Sequence, residues 1–290
     1  MGLRVGGIFL EEEARKPGRK KSEEEARKSE IRQIQTSVGG SFPYLEVDAM
    51  RIMGILMTIV CFAGPVFGQA GPPLITDDTG TPGAGGFELN LAWTFDRTDG
   101  EESFESPLVD LSVGVTETVQ FSLTIPYLVQ DFSQRRDGAI GKATLGSKWR
   151  FLETEGFALS TSPAVAFPIE NSAEELGFED DRLDVFLPIE TSFDALGGSF
   201  AAQIGYLHAD DDAWFAGFAY AHSLGEQFEV AGEVALEREL GGARTGLVNI
   251  GGRYQIAESL QILGSVGHGI DFLGDDGPDW IAYGGIQLAF

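Results

Sequence analysis

The chain ends with the sequence WIAYGGIQLAF, residues 280–290, in which side chains alternate between two faces. Phe290, Leu288 and Ile286 fall on one face, and Ala289, Gln287 and Gly285 fall on the other. Residues two apart point to the same side of a β-strand. This stretch therefore predicts a strand with one largely apolar face that ends at the last residue of the chain.

Similar alternation recurs over about ten residues at a time through the preceding sequence, with turn residues between the segments. The predicted strands before the terminal one are Phe87–Arg97, Leu108–Thr116, Val119–Val129, Lys142–Phe151, Phe157–Ile169, Leu183–Asp194, Phe200–His208, Trp214–His222, Phe228–Glu239, Gly246–Ile256 and Leu260–Ile270. A bilayer offers no hydrogen-bond partner to an open sheet edge, so a spanning sheet must close on itself. The pattern predicts an all-β, transmembrane, antiparallel up-and-down barrel of about 12 strands, with 10 or 14 as alternatives.

Closure of such a barrel requires the terminal strand Trp280–Phe290 to pair with the first strand, Phe87–Arg97. A terminal Phe on an alternating strand also resembles the assembly signal of bacterial outer-membrane barrels, here Phe290, Leu288 and Ile286. The resemblance implies two partners, the barrel-assembly machinery and outer-membrane lipid. Gly284 and Gly285 predict a gap that makes this seam the softest junction of the barrel.

The N-terminal part has the organisation of an exported protein. Residues 1–49 carry mixed charge runs and no strand pattern, which predicts a disordered or non-native extension. Residues 50–70 have a positive start, an apolar stretch and small residues, the pattern of a cleaved secretory signal. Residues 71–86 are rich in Pro and Gly and predict a periplasmic lead-in. The predicted destination is the outer membrane of a Gram-negative cell.

The connections between the predicted strands alternate in length. Short turns such as Glu117-Thr118 alternate with longer or more acidic loops, among them Thr98–Pro107, Gln130–Gly141 and Glu170–Arg182. Short periplasmic turns and longer extracellular loops are typical of these barrels. Pro163 and Pro188 conflict with the pattern, because proline cannot donate a hydrogen bond to a strand ladder.

Charge and cysteine content exclude several classes of function. The formal net charge is −25, so the surface repels nucleic acid and attracts cations. The one cysteine, Cys61, lies in the predicted signal. The mature protein therefore has no disulfide framework, no Cys-ligated zinc site and no thiol nucleophile, and we predict no cofactor.

The charged residues within strands fall mostly on the face opposite to the large apolar ones. The inward-facing candidates for lining the lumen are Glu88, Asp110, Lys142, Lys148, Arg150, Asp184, Glu190, Glu229, Glu233, Glu237 and Arg253. Two interpretations are open. These residues line a pore that selects cations or orients a polar solute, or they form a ladder of salt bridges that fills a narrow barrel, since buried charges need partners.

The loops carry clustered carboxylates, at Glu174-Glu175, Glu179–Asp181, Asp210–Asp212 and Asp275-Asp276. Clustered carboxylates form either a solvated acidic rim or sites for divalent cations such as Ca²⁺ or Mg²⁺. None has the spacing of an EF-hand loop, so no resident metal site is predicted.

The stretch PLITDDTGTPG, residues 73–83, followed by GFELN, residues 86–90, resembles the entry segment of a family of outer-membrane transporters. The family is named for the meta-pathway of phenol degradation. Ile125-Pro126-Tyr127 and the glycine-containing segment 142–148 are also similar. The resemblance covers residues 72–290 and implies a barrel with a transport role, without catalytic or binding residues.

Together these features predict a porin-like channel or transporter for a small solute, neutral or cationic and in the family context aromatic. A structural or adhesive barrel with a plugged lumen is the alternative. A barrel lipase is the third hypothesis, because it needs a Ser and a His within hydrogen-bond reach. The neighbours His222 and Ser223 point to opposite faces of a strand, and His208 and His268 share the outward face of His222. We therefore predict no enzyme activity.

Overall fold

The structure is a computed structural model that describes residues 71–98, 100–132, 135–270 and 277–290. The predicted extension, residues 1–49, and the predicted signal, residues 50–70, lie outside these ranges. Within the ranges, no helix has the length and apolar composition needed to cross a membrane.

The chain forms one antiparallel sheet that closes into a barrel. Its strands are β1 Phe87–Thr98, β2 Glu101–Gly114, β3 Val119–Phe132, β4 Arg135–Ile140, β5 Ala143–Thr154, β6 Phe157–Thr161, β7 Ala164–Phe167, β8 Asp184–Ala195, β9 Gly198–His208, β10 Ala213–Ser223, β11 Phe228–Glu239, β12 Arg244–Ala257, β13 Leu260–Gly269 and β14 Trp280–Ala289. One short helix, α1 Ser172–Glu175, lies between β7 and β8.

The strands occupy 12 positions around the barrel. Strands β4 and β5 both pair with β3, and they form one wall position that is interrupted between them. Strands β6 and β7 both pair with β5 and β8, and they form another. The prediction of a closed antiparallel barrel with 12 strands is confirmed.

The seam of the barrel has the predicted strands. The pairing of β1 with β14 runs from Glu88 opposite Ala289 to Arg97 opposite Trp280. Beyond it, the backbone N–H groups of Phe87 and Phe290 each donate to the carbonyl of the other, both at 2.9 Å. Their rings stack with centroids 4.9 Å apart, so the terminal residue is tied to the first strand by backbone and side chain.

Gly284 does not leave the predicted gap in the seam. Trp93 lies opposite it on β1, and its indole covers the glycine so closely that an added Cβ would sit 2.7 Å from ring atoms. An aromatic ring that packs over a cross-strand glycine replaces the missing side-chain contact. The predicted gap is therefore wrong at Gly284, and the expectation that this seam is the softest junction stays a prediction.

Two predicted outer loops are instead parts of strands. Strand β1 continues to Thr98 and β2 begins at Glu101, so most of the predicted loop Thr98–Pro107 is paired. In the same way, β3 and β4 extend into the predicted loop Gln130–Gly141. The alternation fades there because both faces of a strand are polar beyond the bilayer. The long connection that includes Glu170–Arg182 remains.

Pro163 and Pro188 lie at the same interruption of the sheet. Pro163 lies between β6 and β7, and Pro188 lies on the part of β8 opposite this break. The ladder pairs stop at Ser160 with Glu190 and resume at Ala164 with Phe186. Proline lacks a backbone donor, so placing both residues at one gap avoids a second break elsewhere.

The two faces of the sheet differ in chemistry. Large apolar side chains such as Phe121, Trp149 and Ile250 are exposed on the outward face. Polar residues such as Gln203 and Asn249 are buried on the inward face. A soluble barrel has the opposite arrangement, with an apolar core. The polar inward face therefore makes the lumen the candidate functional site.

Candidate functional site: the barrel lumen

The segment Gly71–Gly80, called here the lumen segment, lies against inward side chains of the barrel. Its hydrogen bonds reach strands β5, β8, β9, β11, β12 and β13. The sequence predicted a periplasmic lead-in here. The structure places this part of it among the lumen side chains, which no feature of its own sequence indicated.

Glu233 on β11 is the central anchor of the lumen segment. Its carboxylate accepts the backbone N–H of Ile75 at 2.8 Å and that of Thr76 at 2.7 Å, and it also accepts Asn249 Nδ2 at 2.9 Å. Only 4% of the residue is exposed. Three donors around a buried carboxylate compensate for its lost hydration, and hydrogen bonds to a charged acceptor are stronger than neutral ones.

Lys148 on β5 holds the next part of the segment. Its ammonium donates to Asp77 Oδ1 at 2.9 Å and to the Asp78 carbonyl at 2.7 Å, while Asp78 Oδ1 lies at 4.0 Å. The lysine is 5% exposed, so this is a buried ion pair. Removing either partner would leave an uncompensated charge in the lumen.

Backbone groups of the segment are held from both sides. Arg253 on β12 donates from Nη2 to the Pro72 carbonyl at 2.7 Å, and its guanidinium lies 3.6 Å from Glu229. Ser265 Oγ donates to the Pro73 carbonyl at 2.8 Å. Farther around the wall, on β9, Gln203 Oε1 accepts the N–H of Asp77 at 3.2 Å.

Gly217 on β10 gives the segment room to approach the wall. A Cβ at this position would lie 2.3 Å from Thr76 Oγ1, which is closer than side-chain atoms can come. The glycine is inward-facing, between Phe215 and Ala219. The strand itself needs no glycine here. A glycine is required because the lumen segment lies against the wall at this position.

Glu190 on β8 is satisfied by the wall itself. Its carboxylate accepts Ser160 Oγ at 2.7 Å and Gln203 Nε2 at 3.4 Å, together with a hydrogen bond from Ser162 Oγ. The residue is fully buried. All three of these partners are uncharged, so the hydrogen bonds of Glu190 come from the wall and not from a cationic side chain.

Glu88 and Asp110 lie on a different wall, formed by β1 and β2. Asn90 Nδ2 donates to Glu88 Oε1 and to Asp110 Oδ2, both at 3.2 Å, and Thr124 Oγ1 donates to Asp110 Oδ1 at 3.0 Å. Both carboxylates are partly exposed, whereas Asn90 behind them is buried. No hydrogen bond among the described residues joins this wall to the lumen segment.

Lys142 binds the long acidic connection between β7 and β8. Its ammonium contacts Asp180 at 2.5 Å and Asp184 at 2.9 Å. Phe178 from the same connection packs on Leu128 of β3 in a small apolar cluster. Burial alone would raise the pKa of Asp180, but the Lys142 ammonium and the Arg182 N–H together lower this pKa below its ordinary value.

Arg150 contacts the turn end of the lumen segment, and Glu237 lies away from the segment. The guanidinium of Arg150 donates to the Glu117 carbonyl at 2.8 Å and to the Thr79 carbonyl at 3.4 Å, at the turn end of the barrel. Glu237 lies opposite Phe215 near the other end, partly buried. The described residues contain no group of three or more His, Cys, Asp or Glu side chains that could hold a metal ion.

No family model matches the chain, and no curated protein matches it. Among solved structures, the chain is similar to an outer-membrane channel from Pseudomonas putida F1, with a TM-score of 0.57 and 12% identity over 79% of this chain and 100% of that chain. It is also similar to the NanC porin, with a TM-score of 0.52 and 8% identity over 69% of this chain and 98% of that chain.

The chain has the fold of an outer-membrane β-barrel. At these identities the likeness shows the fold alone. The resemblance to the transporter family of phenol degradation therefore stays a prediction.

Within this outer-membrane barrel, the eleven predicted lumen residues lie on or beside the inward face, but they are not one constellation. Four of them, Lys148, Arg150, Glu233 and Arg253, bind the lumen segment directly. Glu190 is bonded within the wall, and Lys142 pairs with Asp184 and with Asp180 of the acidic connection. Glu88 and Asp110 form a separate group. Whether any of them contacts a solute stays a prediction.

Two of the three histidines are exposed, and the third, His222, is buried on the outward face of its strand. His208 and His268 are exposed, and His222 Nδ1 lies 3.2 Å from the hydroxyl of Tyr220. His208 Nδ1 lies 2.7 Å from Asp212 Oδ1, and Tyr206 donates to the other oxygen of that carboxylate at 2.7 Å. Among the residues that the structure describes, no hydrogen bond joins a serine to a histidine.

Proposed function

We propose that the protein is an outer-membrane channel for small solutes, whose lumen is narrowed by its own N-terminal lumen segment. The observation that carries the proposal is the chemistry of the inward face. It is polar and charged on several strands, and the segment is held there by hydrogen bonds and ion pairs. A polar interior is typical of barrels that contain water, with or without an internal constriction.

The preferred solutes are neutral or cationic. Inward carboxylates outnumber inward cations, and the net charge of the chain is −25. A narrow passage with one sign of charge raises the local concentration of the opposite ion. The family resemblance adds small aromatic molecules to the candidates.

The test is conductance in planar bilayers under a salt gradient, with replacement first of the cation and then of the anion. We expect discrete steps and a reversal potential that favours the cation. Steps that favour chloride would contradict the acidic lumen, and the absence of steps at every voltage would contradict the channel.

A second candidate is a structural barrel with a plugged lumen, and the anchoring of the segment to six strands favours it. The double variant Thr76→Cys/Gly217→Cys separates the two, because a Cβ at position 217 would lie 3.1 Å from Thr76 Cβ. Thr76→Cys removes the hydroxyl oxygen that a Cβ at position 217 would meet, and the separation of the two Cβ atoms is a few tenths of an ångström below the disulfide range. Cys61→Ser removes the natural thiol.

In this variant, oxidation links the segment to the wall by a disulfide, and reduction breaks that link. The same sample measured in both states therefore provides its own control. A constricted channel conducts in both states. A channel that opens only when the segment leaves conducts after reduction and not after oxidation. A plugged barrel conducts in neither state.

A further inference from the structure

Two arginines lie opposite each other on the outward face of the β11–β12 pair. Arg238 and Arg244 are partners in the strand register, and both are exposed. Side chains at directly opposite positions have Cβ atoms about 4.5–5.5 Å apart, and like charges there destabilise a strand pair. A negatively charged partner bound between the two guanidinium groups would remove this cost.

The described part of the protein does not supply that partner. Among the residues that the structure describes, no ion pair or hydrogen bond includes the guanidinium of Arg238 or Arg244. Arg182, at the same end of the barrel, instead pairs with Asp210. The two opposed arginines therefore differ from an arginine that the acidic loops already neutralise.

The carboxylates of the neighbouring hairpins have other partners. Asp212 accepts the hydroxyl of Tyr206 at 2.7 Å, and its other oxygen lies 2.7 Å from His208 Nδ1. Glu239 accepts the backbone N–H of Ala243 at 3.1 Å within its own hairpin. The partner of the arginine pair is therefore expected to come from outside the protein.

The arginines lie at the level that lipid headgroups occupy. Trp214 lies opposite Arg238 on β10, Tyr206 lies opposite Trp214 on β9, and the two rings pack with centroids 5.3 Å apart. Tyr and Trp are enriched at the membrane interface, and a charge on the lipid face costs least there. Strand β9 ends beside the beginning of β8, directly after the long acidic connection. Long connections are typical of the outer side, so the adjacent lipid belongs to the outer leaflet.

An apolar groove lies beside the arginines on the same outward face. Ala216 on β10 lies between Ile204 on β9 and Leu236 on β11, and both of these larger side chains are exposed. The small side chain between two large ones leaves a groove of about 200 Å³, and Trp214 and Arg238 line its outer end. An unpaired positive charge therefore adjoins a groove that suits a hydrocarbon chain.

We propose that Arg238, Arg244 and the groove at Ala216 form a binding site for a phosphate-bearing lipid of the outer leaflet. The two guanidinium groups bind the phosphate, and one acyl chain lies in the groove. Arginine suits this role because its planar group donates paired hydrogen bonds to phosphate oxygens. The site does not depend on what passes through the lumen, so its test does not involve conduction.

The first experiment measures lipid binding to the purified protein in detergent by native mass spectrometry. The probes are dioleoyl phosphatidylglycerol and a dioleoyl galactolipid, which has the same chains and no phosphate. An arginine near anionic headgroups changes affinity about fivefold. We expect Arg238→Gln and Arg244→Gln each to weaken binding of the phospholipid about fivefold and to leave binding of the galactolipid unchanged.

Arg182→Gln is the matched control, because it removes the same charge from another exposed position at this end. Phospholipid affinities in the Arg238 and Arg244 variants equal to that of Arg182→Gln would overturn the proposal. Inorganic phosphate in excess is expected to leave the phospholipid bound. Displacement by phosphate would mean that the arginines hold a free anion, and it would also overturn the lipid site.

The groove is tested by Ala216→Phe, which fills it without changing the charge. Val266→Phe is its control, because Val266 is exposed on the outward face of β13. We expect only Ala216→Phe to weaken binding of the phospholipid. Equal affinities in these two variants would show that no acyl chain occupies the groove. Heat-modifiable migration in gels verifies that each variant forms a barrel.

A second measurement separates lipid binding from a structural role of the arginines. Without phosphate-bearing lipid the two charges only repel each other, so Arg238→Gln should unfold in maltoside micelles at the same temperature as the wild type or at a higher one. In phosphatidylglycerol vesicles the wild type should gain more stability than the variant. An equal loss of stability in both media would assign Arg238 a structural role and contradict the lipid site.

Discussion

Glu233→Gln tests whether the lumen segment is held by the geometry described above. The carboxylate accepts two backbone N–H groups of the segment, from Ile75 and Thr76, and one N–H of Asn249. Glutamine has the same shape but one acceptor oxygen and an NH₂ group. One backbone donor would then face another donor, and the charge that strengthens the remaining bonds would be absent.

The expected magnitude follows from one lost bond to a charged group. Such a bond contributes about 1.5–3 kcal/mol, and a loss of about 2 kcal/mol corresponds to roughly a 30-fold change in an equilibrium constant. The affected equilibrium is the local release of the segment from the wall. Release should therefore become roughly 30-fold more frequent while the barrel itself remains closed.

The assay is amide hydrogen exchange of a peptide covering residues 71–80, with the protein in detergent micelles. Glu237→Gln is the matched control, because Glu237 lies on the same strand and face and has no hydrogen bond to the segment among the described residues. We expect exchange to accelerate in Glu233→Gln alone. Equal exchange in the two variants and the wild type would refute the assignment of Glu233 as the anchor.

Three further predictions concern the seam and the outer end. Gly284→Val should destabilise the seam by about 1–3 kcal/mol, because the new side chain would clash with the Trp93 ring. The folded gel band should then disappear at a lower temperature, and Trp93→Ala should partly restore that temperature. Deleting Phe290 should reduce the assembled fraction in membranes, because two backbone hydrogen bonds and a ring stack are lost, whereas normal assembly would contradict its role as a signal. The pKa of Asp180 is lowered below 3.8, so its ion pair with Lys142 should persist at pH 5 and be lost only as pH falls through that lowered pKa. Cleavage of the loop by an acid-stable protease measures the loss of this ion pair.

The strands and the seam were predictable because their signals are local. Side chains alternate with period two along each strand, and closure leaves one partner for the terminal strand. The inward placement of residues such as Glu233 and Lys148 follows from the same alternation. The two outer hairpins were missed for the same reason: Glu101, Glu102 and Ser103 are polar on both faces, so the alternation is absent where the strand is present.

Contacts between distant parts of the chain were not predictable. Thr76 and Glu233 are 157 positions apart, and the lumen segment has no periodicity that marks it as buried. The packing of Trp93 over Gly284 likewise depends on a cross-strand register at the seam. The sequence of β14 alone shows that Gly284 has no side chain. The register with β1 is needed to see that the Trp93 ring fills the space.

The ion-pair interpretation of the inward charges applies to one part of the lumen wall, and the pore-lining interpretation stays a prediction. On β5, β11 and β12, Lys148, Glu233 and Arg253 are matched by groups of the segment, so its departure would leave a buried cation and a buried carboxylate short of partners. The wall therefore favours retention of the segment. On β1 and β2 the carboxylates accept hydrogen bonds from Asn90 and Thr124 of the wall itself, so they do not depend on the segment. A lumen that binds its own chain along one part of the wall is consistent with the narrow passage proposed above, which needs no movement of the segment.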